Sequence, residues 1–440
     1  MVTNIRYLLS NLFKIRPEDN VPASVAQNFR HNVIINTLDI SFFFMADSFW
    51  NINTIMPVFA ATLTDNPFII GLMPAIVNAG WFLPQMFIAS RVTDKPKILP
   101  LSIRLGVFER LPYLLFAVLA LAIPQISKTI ALVLLILLMT WRGVAGGLSA
   151  LPWQEVMARV IPLSHRARFF GFSRVFGQGA GILGSVLSGL ILANLPYPRN
   201  YALGFGIAVI IQWLSFASYI QNREPEPEQT NQSVPNPSPS QSKRSSIDIS
   251  MFGRILKEDG NFRVYLLARS ISFIGNMATA FIAVYAIKAF RLPDEQAAVF
   301  TGVILASGVL GYAIWGAIGD RIGPKQIMVL SFICWFAALI IAIASKSIWL
   351  YYLVFALFGF YQSGVGVGDS MLIMELGKES LRPTYLGMGR TLTGSFLLVA
   401  PVLAGLLVER YDYPVMFVVS ALFVAIATLL MARVKDIPRR

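Results

Sequence analysis

The sequence predicts an all-α integral membrane protein whose twelve transmembrane helices form two pseudo-symmetric six-helix bundles. The chain has 440 residues, of which 56% are hydrophobic and 13% are charged. A soluble domain of this size carries about twice that charged fraction, because its surface faces water. The apolar residues are gathered into blocks of about 20 residues or more, which is the length that crosses a bilayer. A proline-rich segment in the middle of the chain separates six such blocks from six others.

Each apolar block is a candidate membrane span by its length and its lack of charge. We expect the twelve spans at residues 33–63, 68–90, 99–122, 129–151, 169–193, 201–220, 264–290, 297–319, 327–344, 348–374, 385–408 and 413–432. The first, seventh and tenth are longer than a bilayer requires, so they tilt or extend past the lipid.

The proline-rich segment sets the predicted domain organisation. Residues 221–246 hold five prolines among Glu, Gln, Asn and Ser, and such a composition cannot bury enough apolar surface to fold. The predicted units are a cytoplasmic N-terminal segment (1–32), an N-terminal bundle (33–220), a cytoplasmic linker (221–262), a C-terminal bundle (263–433) and a cytoplasmic tail (434–440).

A short amphipathic segment precedes each bundle. Apolar residues share one helical face at Ile5, Leu8, Leu9, Leu12 and Phe13, and again at Ile249, Phe252, Ile255 and Leu256. Basic residues flank both segments, so we expect two interfacial helices lying flat at the inner membrane surface. Anchoring is the simpler interpretation, and regulation is the alternative.

The net charge of +13 is distributed unevenly along the chain. Most basic residues fall in loops on the side of the two termini. The opposite side holds only Lys128, Arg199, Lys288, Arg291, Lys346 and Arg410. This bias predicts cytoplasmic termini and a multi-pass protein of the inner (plasma) membrane of a prokaryote. It also argues against nucleic acid as a partner, since the charge follows the loops.

The sequence offers no set of residues for cofactor, metal or covalent chemistry. Cys334 is the only cysteine and lies within an apolar span, where it is a packing residue. No Cys/His set has metal-ligand spacing, and no glycine-rich loop with lysine would hold ATP. His31 and His165 fall at predicted cytoplasmic edges, without a nucleophile nearby in sequence. We therefore expect no cofactor, no metal and no enzymatic activity.

A charged turn between the eighth and ninth spans is the most specific motif of the chain. It reads Gly316-Ala-Ile-Gly319-Asp320-Arg321-Ile-Gly323-Pro-Lys325. Physically, Gly316 and Gly319 would let two helices approach closely, and Gly323 would permit a tight reversal. The turn resembles the cytoplasmic loop signature G-x-x-x-D-R-x-G-[RK]-[RK] of the major facilitator superfamily, which that family keeps between the second and third helices of each half.

The resemblance implies a secondary transporter with a cytoplasmic gate. In the family, the loop aspartate meets the start of a helix from the other half, so Asp320 is expected near Arg168 at the start of span five. The corresponding first-half loop keeps Asp94 but lacks the glycines, which makes Asp94 a weaker gate candidate. Asp369, which follows a Gly-x-Gly-x-Gly run, is another; the alternative is a helix-end charge at the interface. Arg269 lies in the inner part of span seven and is expected to snorkel.

Ionisable residues inside apolar spans are costly and usually have a task. Counting 1.5 Å per residue from the span ends places Asp47, Glu109, Arg110 and Arg142 near mid-membrane. The first span also contains Asp39. Charges of both signs at one depth indicate a paired network around a cavity.

Arg142 opens a segment that resembles the fourth-helix signature R-x-x-q-G-x-g-a of the same family. Ala145 replaces the usual Gln, and Leu148 replaces a small residue. The family links this arginine to proton coupling, in which the arginine stays charged while a nearby carboxylate, here Asp47 or Glu109, gains and loses a proton. The alternative is a fixed ion pair that holds spans one, three and four together.

Polar or aromatic residues within the spans are candidates for a substrate cavity. They are Asn51, Asn78, Gln178, Asn276, Trp315, Tyr361 and Gln362. Each could instead bond to a neighbouring helix. The glycine-rich fifth and eighth spans are expected to form part of the contact between the two halves.

Together these patterns predict a secondary active transporter that moves a small solute by alternating access. It is expected to be a monomer in the lipid bilayer, coupled to protons, with efflux favoured. The alternatives are a facilitative or symport uptake permease and, from another class, a non-transporting sensor or lipid-handling protein on the same scaffold.

The predicted topology can be tested by cysteine labelling in intact cells. In a Cys334→Ser background, Ser238→Cys should not react with an impermeant external reagent, because residues 221–246 are expected to be cytoplasmic. Lys128→Cys, which the same topology places outside, is the positive control. Labelling of Ser238→Cys without permeabilisation would contradict the predicted orientation.

Overall fold

The structure is a computed structural model that describes residues 15, 19, 21–82, 84–85, 88, 95–226, 249–376, 381–394 and 396–435. These residues form α-helices, two 3₁₀ turns and short connections, with no strand among them. The first half comprises α1 (Ala23–Asp47), α2 (Ile55–Leu63), α3 (Pro67–Phe82), α4 (Leu99–Ala122), α5 (Lys128–Val160), α6 (Leu163–Asn194) and α7 (Arg199–Tyr219). The second half comprises α8 (Ile249–Glu258), α9 (Gly260–Gly275), α10 (Ile282–Phe290), α11 (Gln296–Ile322), α12 (Pro324–Ala344), α13 (Ile348–Leu376), α14 (Arg382–Gly394), α15 (Phe396–Tyr411) and α16 (Tyr413–Arg433).

Ten segments of the described chain are long and apolar enough to cross a membrane, and Pro67–Trp81 forms a shorter apolar helix. The all-α membrane architecture is therefore confirmed. The first predicted span differs from the expectation. It begins ten residues earlier, at Ala23, and is interrupted between α1 and α2 at residues 48–54. The seventh span is interrupted too, by a 3₁₀ turn at Asn276–Ala280.

The two halves repeat one packing scheme. In the first half α1 packs on α6 and α7, α5 packs on α3 and α4, and α4 packs on α7. In the second half α9 packs on α15 and α16, α13 packs on α11 and α12, and α12 packs on α16. Each contact of one half thus has its counterpart in the other, as expected for two pseudo-symmetric bundles.

Two helix pairs, α6 with α11 and α3 with α15, make the most extensive contacts between the halves. Small residues make the approach possible. A Cβ added to Gly308 would lie 2.8 Å from Gln178 Oε1, and one added to Gly71 would lie 2.5 Å from the backbone oxygen of Pro401. The predicted contact between the fifth and eighth spans is therefore present.

We call the end of the molecule where α1 begins and α16 ends the terminal face, and the other end the opposite face. The halves are held together towards the opposite face. Thr54 Oγ1 lies 2.5 Å from Thr301 Oγ1, and the Tyr201 hydroxyl donates to Asp294 Oδ2 at 3.2 Å. Partial burial raises the pKa of the Asp294 carboxyl, although the bond from Tyr201 acts in the other direction.

Towards the terminal face, one glycine of α6 and one of α11 face open space. No heavy atom lies within 4 Å of a Cβ added at Gly171 of α6 or at Gly316 of α11. Gly181 and Gly189, further along α6, still contact Leu305 and Ala298. Along α6 and α11, the glycines of the described residues are therefore in close contact towards the opposite face and open at Gly171 and Gly316 towards the terminal face.

Hydrogen bonds and an ion pair hold the start of the linker against the terminal face of the first half. Glu224 accepts from the backbone N–H groups of Ile98 and Leu99 at 2.9–3.0 Å and pairs with Arg159 at 2.9 Å. A carboxylate is favoured there because the first N–H groups of a helix lack intrahelical partners. The remaining linker segment 227–248 and the amphipathic segment 5–13 lie outside the described residues. In α8, Ile255 is buried while Arg254 and Lys257 are exposed, as its amphipathic pattern predicts.

From the close contact between α3 and α15 we predict how a substitution at Gly71 changes stability. Gly71→Ala should lower the free energy of unfolding by about 1–3 kcal/mol, because the new methyl group collides with backbone that cannot rotate away. Gly206→Ala is the matched control, since nothing lies within 4 Å of its Cβ. It should be neutral or stabilising by up to about 1 kcal/mol through helix propensity. Thermal unfolding of the purified variants in detergent measures both, and equal melting temperatures would contradict the contact.

Candidate functional site

An ion pair joins the first span to α5 in the middle of the first half. Arg142 Nη2 lies 3.3 Å from Asp47 Oδ1, and Arg142 Nε donates to the Tyr113 hydroxyl at 3.1 Å. The Arg142 side chain is 12% exposed and that of Asp47 is 29% exposed. The pair is therefore shielded by the bundle and still reachable from one side.

Local structure explains why these side chains meet. Asp47 is the last residue of α1, where the span is interrupted, so its carboxylate projects from a helix end. Trp50, in the interruption, stacks on Tyr113 with ring centroids 4.0 Å apart. On α5, Gly143 comes next to Arg142 and packs on α3; a Cβ added there would lie 2.9 Å from the Val77 oxygen. The glycine-rich signature thus brings α5 against α3 and orients Arg142.

A second charged group lies nearer the terminal face. Arg110 Nη1 lies 3.8 Å from Glu109 Oε2, and its Nη2 donates to Ser215 Oγ at 3.5 Å. Ser215 in turn donates to Asp39 Oδ1 at 2.6 Å, and Trp153 Nε1 donates to Asp39 Oδ2 at 3.4 Å. Both oxygens of the buried Asp39 carboxylate are therefore occupied. Each of these charged groups costs less free energy to bury within such a network than it would without partners.

The structure therefore brings the four predicted charges together as two adjacent pairs. The ion-pair partner of Arg142 is Asp47, whereas that of Glu109 is Arg110. Sequence reasoning noted Asp39 in the first span but gave it no role, although it links to Arg110 through Ser215. Tyr113 is a further omission, and its position one helical turn after Glu109 and Arg110 is a signal that could have identified it.

A cavity of about 320 Å³ opens beside the second group. It is enclosed by α1 and α3 to α7, all within the first half, and lies in their terminal-face portions. Its ionisable lining comprises Asp39, Glu109, Arg110 and Arg174, with Tyr219 at the margin. Most of its remaining wall is aromatic or aliphatic, which is typical of a pocket for a small organic ligand.

The second half contains a corresponding ion pair between its own first and fourth spans. Arg269 Nε of α9 lies 2.9 Å from Asp369 Oδ1 of α13, and the Tyr265 hydroxyl donates to the same oxygen at 2.8 Å. The Arg269 guanidinium also lies 4.1 Å from the centre of the Phe273 ring. The expectation that Arg269 snorkels is therefore wrong, because this side chain is buried and paired. Asp369 is its partner within the bundle.

The loop motif adopts the predicted reversal. Gly323 has φ 85°, a conformation that side chains other than glycine rarely adopt, and it separates α11 from α12. A Cβ at Gly319 would lie 3.0 Å from Ile327. Gly316 faces open space, so the expected close approach at this residue is wrong in this conformation.

The charged residues of the predicted gate are only partly described. Arg321 and Arg168 are exposed, and Lys325 is half-buried. The side chain of Asp320 and the whole of Asp94 lie outside the described structure. The predicted contact of Asp320 with the start of α6 therefore stays a prediction.

None of the seven predicted cavity residues lines the cavity described above. Asn51 accepts locally from Asn53 N and Thr54 Oγ1, and Asn276 donates to the Tyr361 hydroxyl at 2.7 Å. Two others lie in helix contacts: Gln178 is buried between α6 and α11, and Trp315 Nε1 donates to the backbone oxygen of Phe360. Asn78 is half-buried and Gln362 is exposed.

Comparison with known proteins gives three kinds of similarity. The sequence model of the Major Facilitator Superfamily matches residues 38–312 and 265–440. An uncharacterized MFS-type transporter of Methanocaldococcus jannaschii is 26% identical over 269 residues, which are 59% of this chain and 62% of that protein. The match thus spans about three-fifths of the curated relative.

Solved structures share the fold at low sequence identity. A variant of the nucleoside transporter NupG has a TM-score of 0.71 at 12% identity, covering 92% of this chain and 100% of that chain. A D-xylose-proton symporter has a TM-score of 0.71 at 12% identity over 92% and 98% of the two chains. The inward-open xylose transporter XylE of E. coli has a TM-score of 0.68 at 11% identity over 92% and 95%.

The second-half ion pair makes a stability prediction. Asp369→Asn should lower the free energy of unfolding by about 1–3 kcal/mol, because it leaves the Arg269 charge buried without its partner. The partial exposure of Asp369 keeps this loss below that expected for a fully buried pair. Adding Arg269→Gln should restore part of the loss, since the unpaired charge is then removed. Glu375→Gln, at an exposed position of the same helix, is the control. Thermal unfolding in detergent that ranks Asp369→Asn with Glu375→Gln would contradict the buried pair.

Proposed function

The chain belongs to the major facilitator superfamily, and on that premise we propose that it is a secondary active transporter that moves a small solute across a membrane by alternating access. The family match extends from residue 38 to residue 440, and so includes both halves. It confirms the resemblance inferred from the loop signature. Membership of this family supports a transporter rather than an enzyme.

The ion pair between Asp47 and Arg142 is the observation that carries the proposal of proton coupling. Arginine remains charged, so the partner that exchanges a proton is the carboxylate. A carboxylate paired with a guanidinium favours its charged form, and protonation breaks the pair. The pair connects α1 to α5, so its protonation loosens one specific contact inside the first half. Glu109, which also interacts electrostatically with Arg142, is the second candidate for the proton carrier.

The arrangement of the halves supports alternating access. The halves meet towards the opposite face, and α6 and α11 have open space at Gly171 and Gly316 towards the terminal face, where the cavity lies. We assign the terminal face to the cytoplasm, because the basic residues gather there. The conformation is then inward-open, and closure would bring Asp320 of α11 to the start of α6 near Arg168, with Asp94 and Asp369 as secondary contributors.

Efflux is the favoured direction, and an amphiphilic solute the favoured cargo. The cavity wall is largely aromatic and aliphatic, which suits such a solute better than a sugar with many hydroxyl groups. A monomer in the inner membrane is the proposed working unit. Uptake by symport or by facilitation, and a sensor or lipid-handling role, are the competing functions that the following experiment separates.

The coupling proposal predicts a selective defect. A thermal-shift screen of solutes on the purified protein supplies a substrate, whose flux is then measured in proteoliposomes with and without an imposed pH gradient. Arg142→Ala should abolish gradient-driven transport while sparing exchange at equal pH, since the pair rather than the solute site is lost. Asp47→Asn and Glu109→Gln identify the proton carrier, because the variant that removes it should lose gradient-driven transport and keep solute exchange at equal pH.

Arg199→Ala is the matched control, since Arg199 is exposed at the start of α7. It should transport as the unaltered protein does. Flux of the unaltered protein that ignores the gradient would make this a facilitator with a static ion pair. Solutes that stabilise the protein but never cross the membrane would favour the sensor or lipid-handling role.

A further inference from the structure

We propose that the cavity of the first half is a binding site for a protonated aromatic amine, with the ammonium group at Glu109 and Ser149 and the ring against the aromatic wall. This inference rests on the proposed transport function, since it names the class of solute carried. It places recognition inside one six-helix half, between α1, α4 and α5, rather than between the two halves.

The charge of the buried lining favours a cation. Asp39 and Glu109 contribute two negative charges, and Arg110 contributes one positive charge, which leaves a formal charge of −1. Arg174 is exposed, so solvent screens its charge. A monocation therefore neutralises the enclosed part of the cavity, whereas an anion would add a second uncompensated negative charge in a region of low dielectric.

The hydrogen bonds of the lining show which groups remain for a ligand. Arg110 is held by the backbone oxygens of Gln212 and Gly106, and by Ser215. Both carboxylate oxygens of Asp39 also accept bonds from protein side chains. Ser215 links these two residues, and their principal hydrogen bonds are to the protein rather than to the cavity.

Glu109 and Ser149 are different. The nearest cationic atom to Glu109 is Arg110 Nη1 at 3.8 Å, which is longer than a hydrogen bond. Ser149 is only 6% exposed, and its Oγ makes no hydrogen bond of normal geometry among the described residues. The Ser149 hydroxyl lies beside the Glu109 carboxylate, so the two groups face the same space. An ammonium group supplies donors that a carboxylate and a serine oxygen can accept together.

The walls supply the complementary apolar surface. Trp81 is 38% exposed and its ring lies over Gly146, where an added Cβ would come within 3.0 Å of the ring. Phe43, Phe44 and Phe170 line the cavity as well. Aromatic faces attract cations and stack on rings. The Arg174 guanidinium lies 5.4 Å from the centre of the Phe44 ring, so one face of this wall already holds a cation. The volume of about 320 Å³ lies within the range of sites for small organic ligands.

Equilibrium binding of tritiated tryptamine to the purified full chain in detergent tests the site. Indole-3-propionate, with the same ring and the opposite charge, is the competitor. Tryptamine should bind and indole-3-propionate should compete poorly at pH 7. Glu109→Gln should weaken tryptamine binding by about tenfold or more, as loss of a charged hydrogen-bond partner requires, and Ser149→Ala by a smaller factor.

Paired glycine variants test the shape of the site independently of charge. Gly146→Ala should weaken binding because its methyl group pushes the Trp81 ring into the cavity. Gly179→Ala, where nothing lies within 4 Å of the Cβ, should bind as the unaltered protein does. Melting temperatures of all variants separate loss of binding from loss of folding, and the comparison of the two ligands needs no variant.

The outcomes also separate this inference from the transport proposal. Absence of tryptamine binding, equal binding of indole-3-propionate, or an unchanged affinity in a folded Glu109→Gln variant would each overturn the site. If another solute is then carried in proteoliposomes, the transport proposal stands without it. If tryptamine binds as expected and no solute ever crosses, the site stands and the transport proposal fails.

Discussion

The cost of an unpaired charge inside an apolar bundle is the constraint on which the rest of this structure depends. In each half, an arginine and an aspartate form an ion pair between the first and the fourth span, so neither charge is left unpaired. In the first half the aspartate is on α1 and the arginine on α5, whereas in the second half the arginine is on α9 and the aspartate on α13. A tyrosine hydroxyl bonds to one member of each pair. The two halves thus share an arrangement with reversed polarity.

Around these pairs, small residues decide where helices touch. The backbone of α3 approaches that of α5 at Gly80 and Gly143, and it approaches α15 at Gly71. α3 therefore contacts both its own half and the other. The same reasoning applies to α6, whose contacts with α11 stop before the terminal face. The open space at that face follows from where close contact ends, whereas the cavity lies within the first half.

Much of this architecture could be predicted from the sequence. A span must be long enough to cross the bilayer, and a charge buried within it is energetically unfavourable unless it has a partner. The spans, the reversal at Gly323 and the pairing of Arg142 with a carboxylate are of this kind. Other features depend on tertiary positions that a linear pattern does not contain. Ser215 reaches Asp39 from a helix 176 residues away. Arg269 was expected at the interface because its depth was counted along the chain, but α13 supplies a partner at the same level.

Gly316 shows a second reason why a sequence motif does not predict every contact. A small residue permits close approach but does not require it, and in this conformation the neighbouring space is open. A transporter of this class has more than one conformation, and one sequence must serve them all. Contacts that a motif implies are therefore distributed among states, so a single structure contains only part of them.

The interruptions in the first and seventh spans have a mechanical consequence. α2 packs on α3 and α5 of its own half and also on α10 and α11 of the other half, whereas α1 packs chiefly on α6 and α7 of its own half. The second part of the span thus contacts both halves, and residues 48–54 separate it from α1. An unwound segment lacks the continuous hydrogen-bond ladder that makes a helix stiff. Asp47 is the last residue before this interruption, so any relative movement of α1 and α2 takes place beside its pair with Arg142.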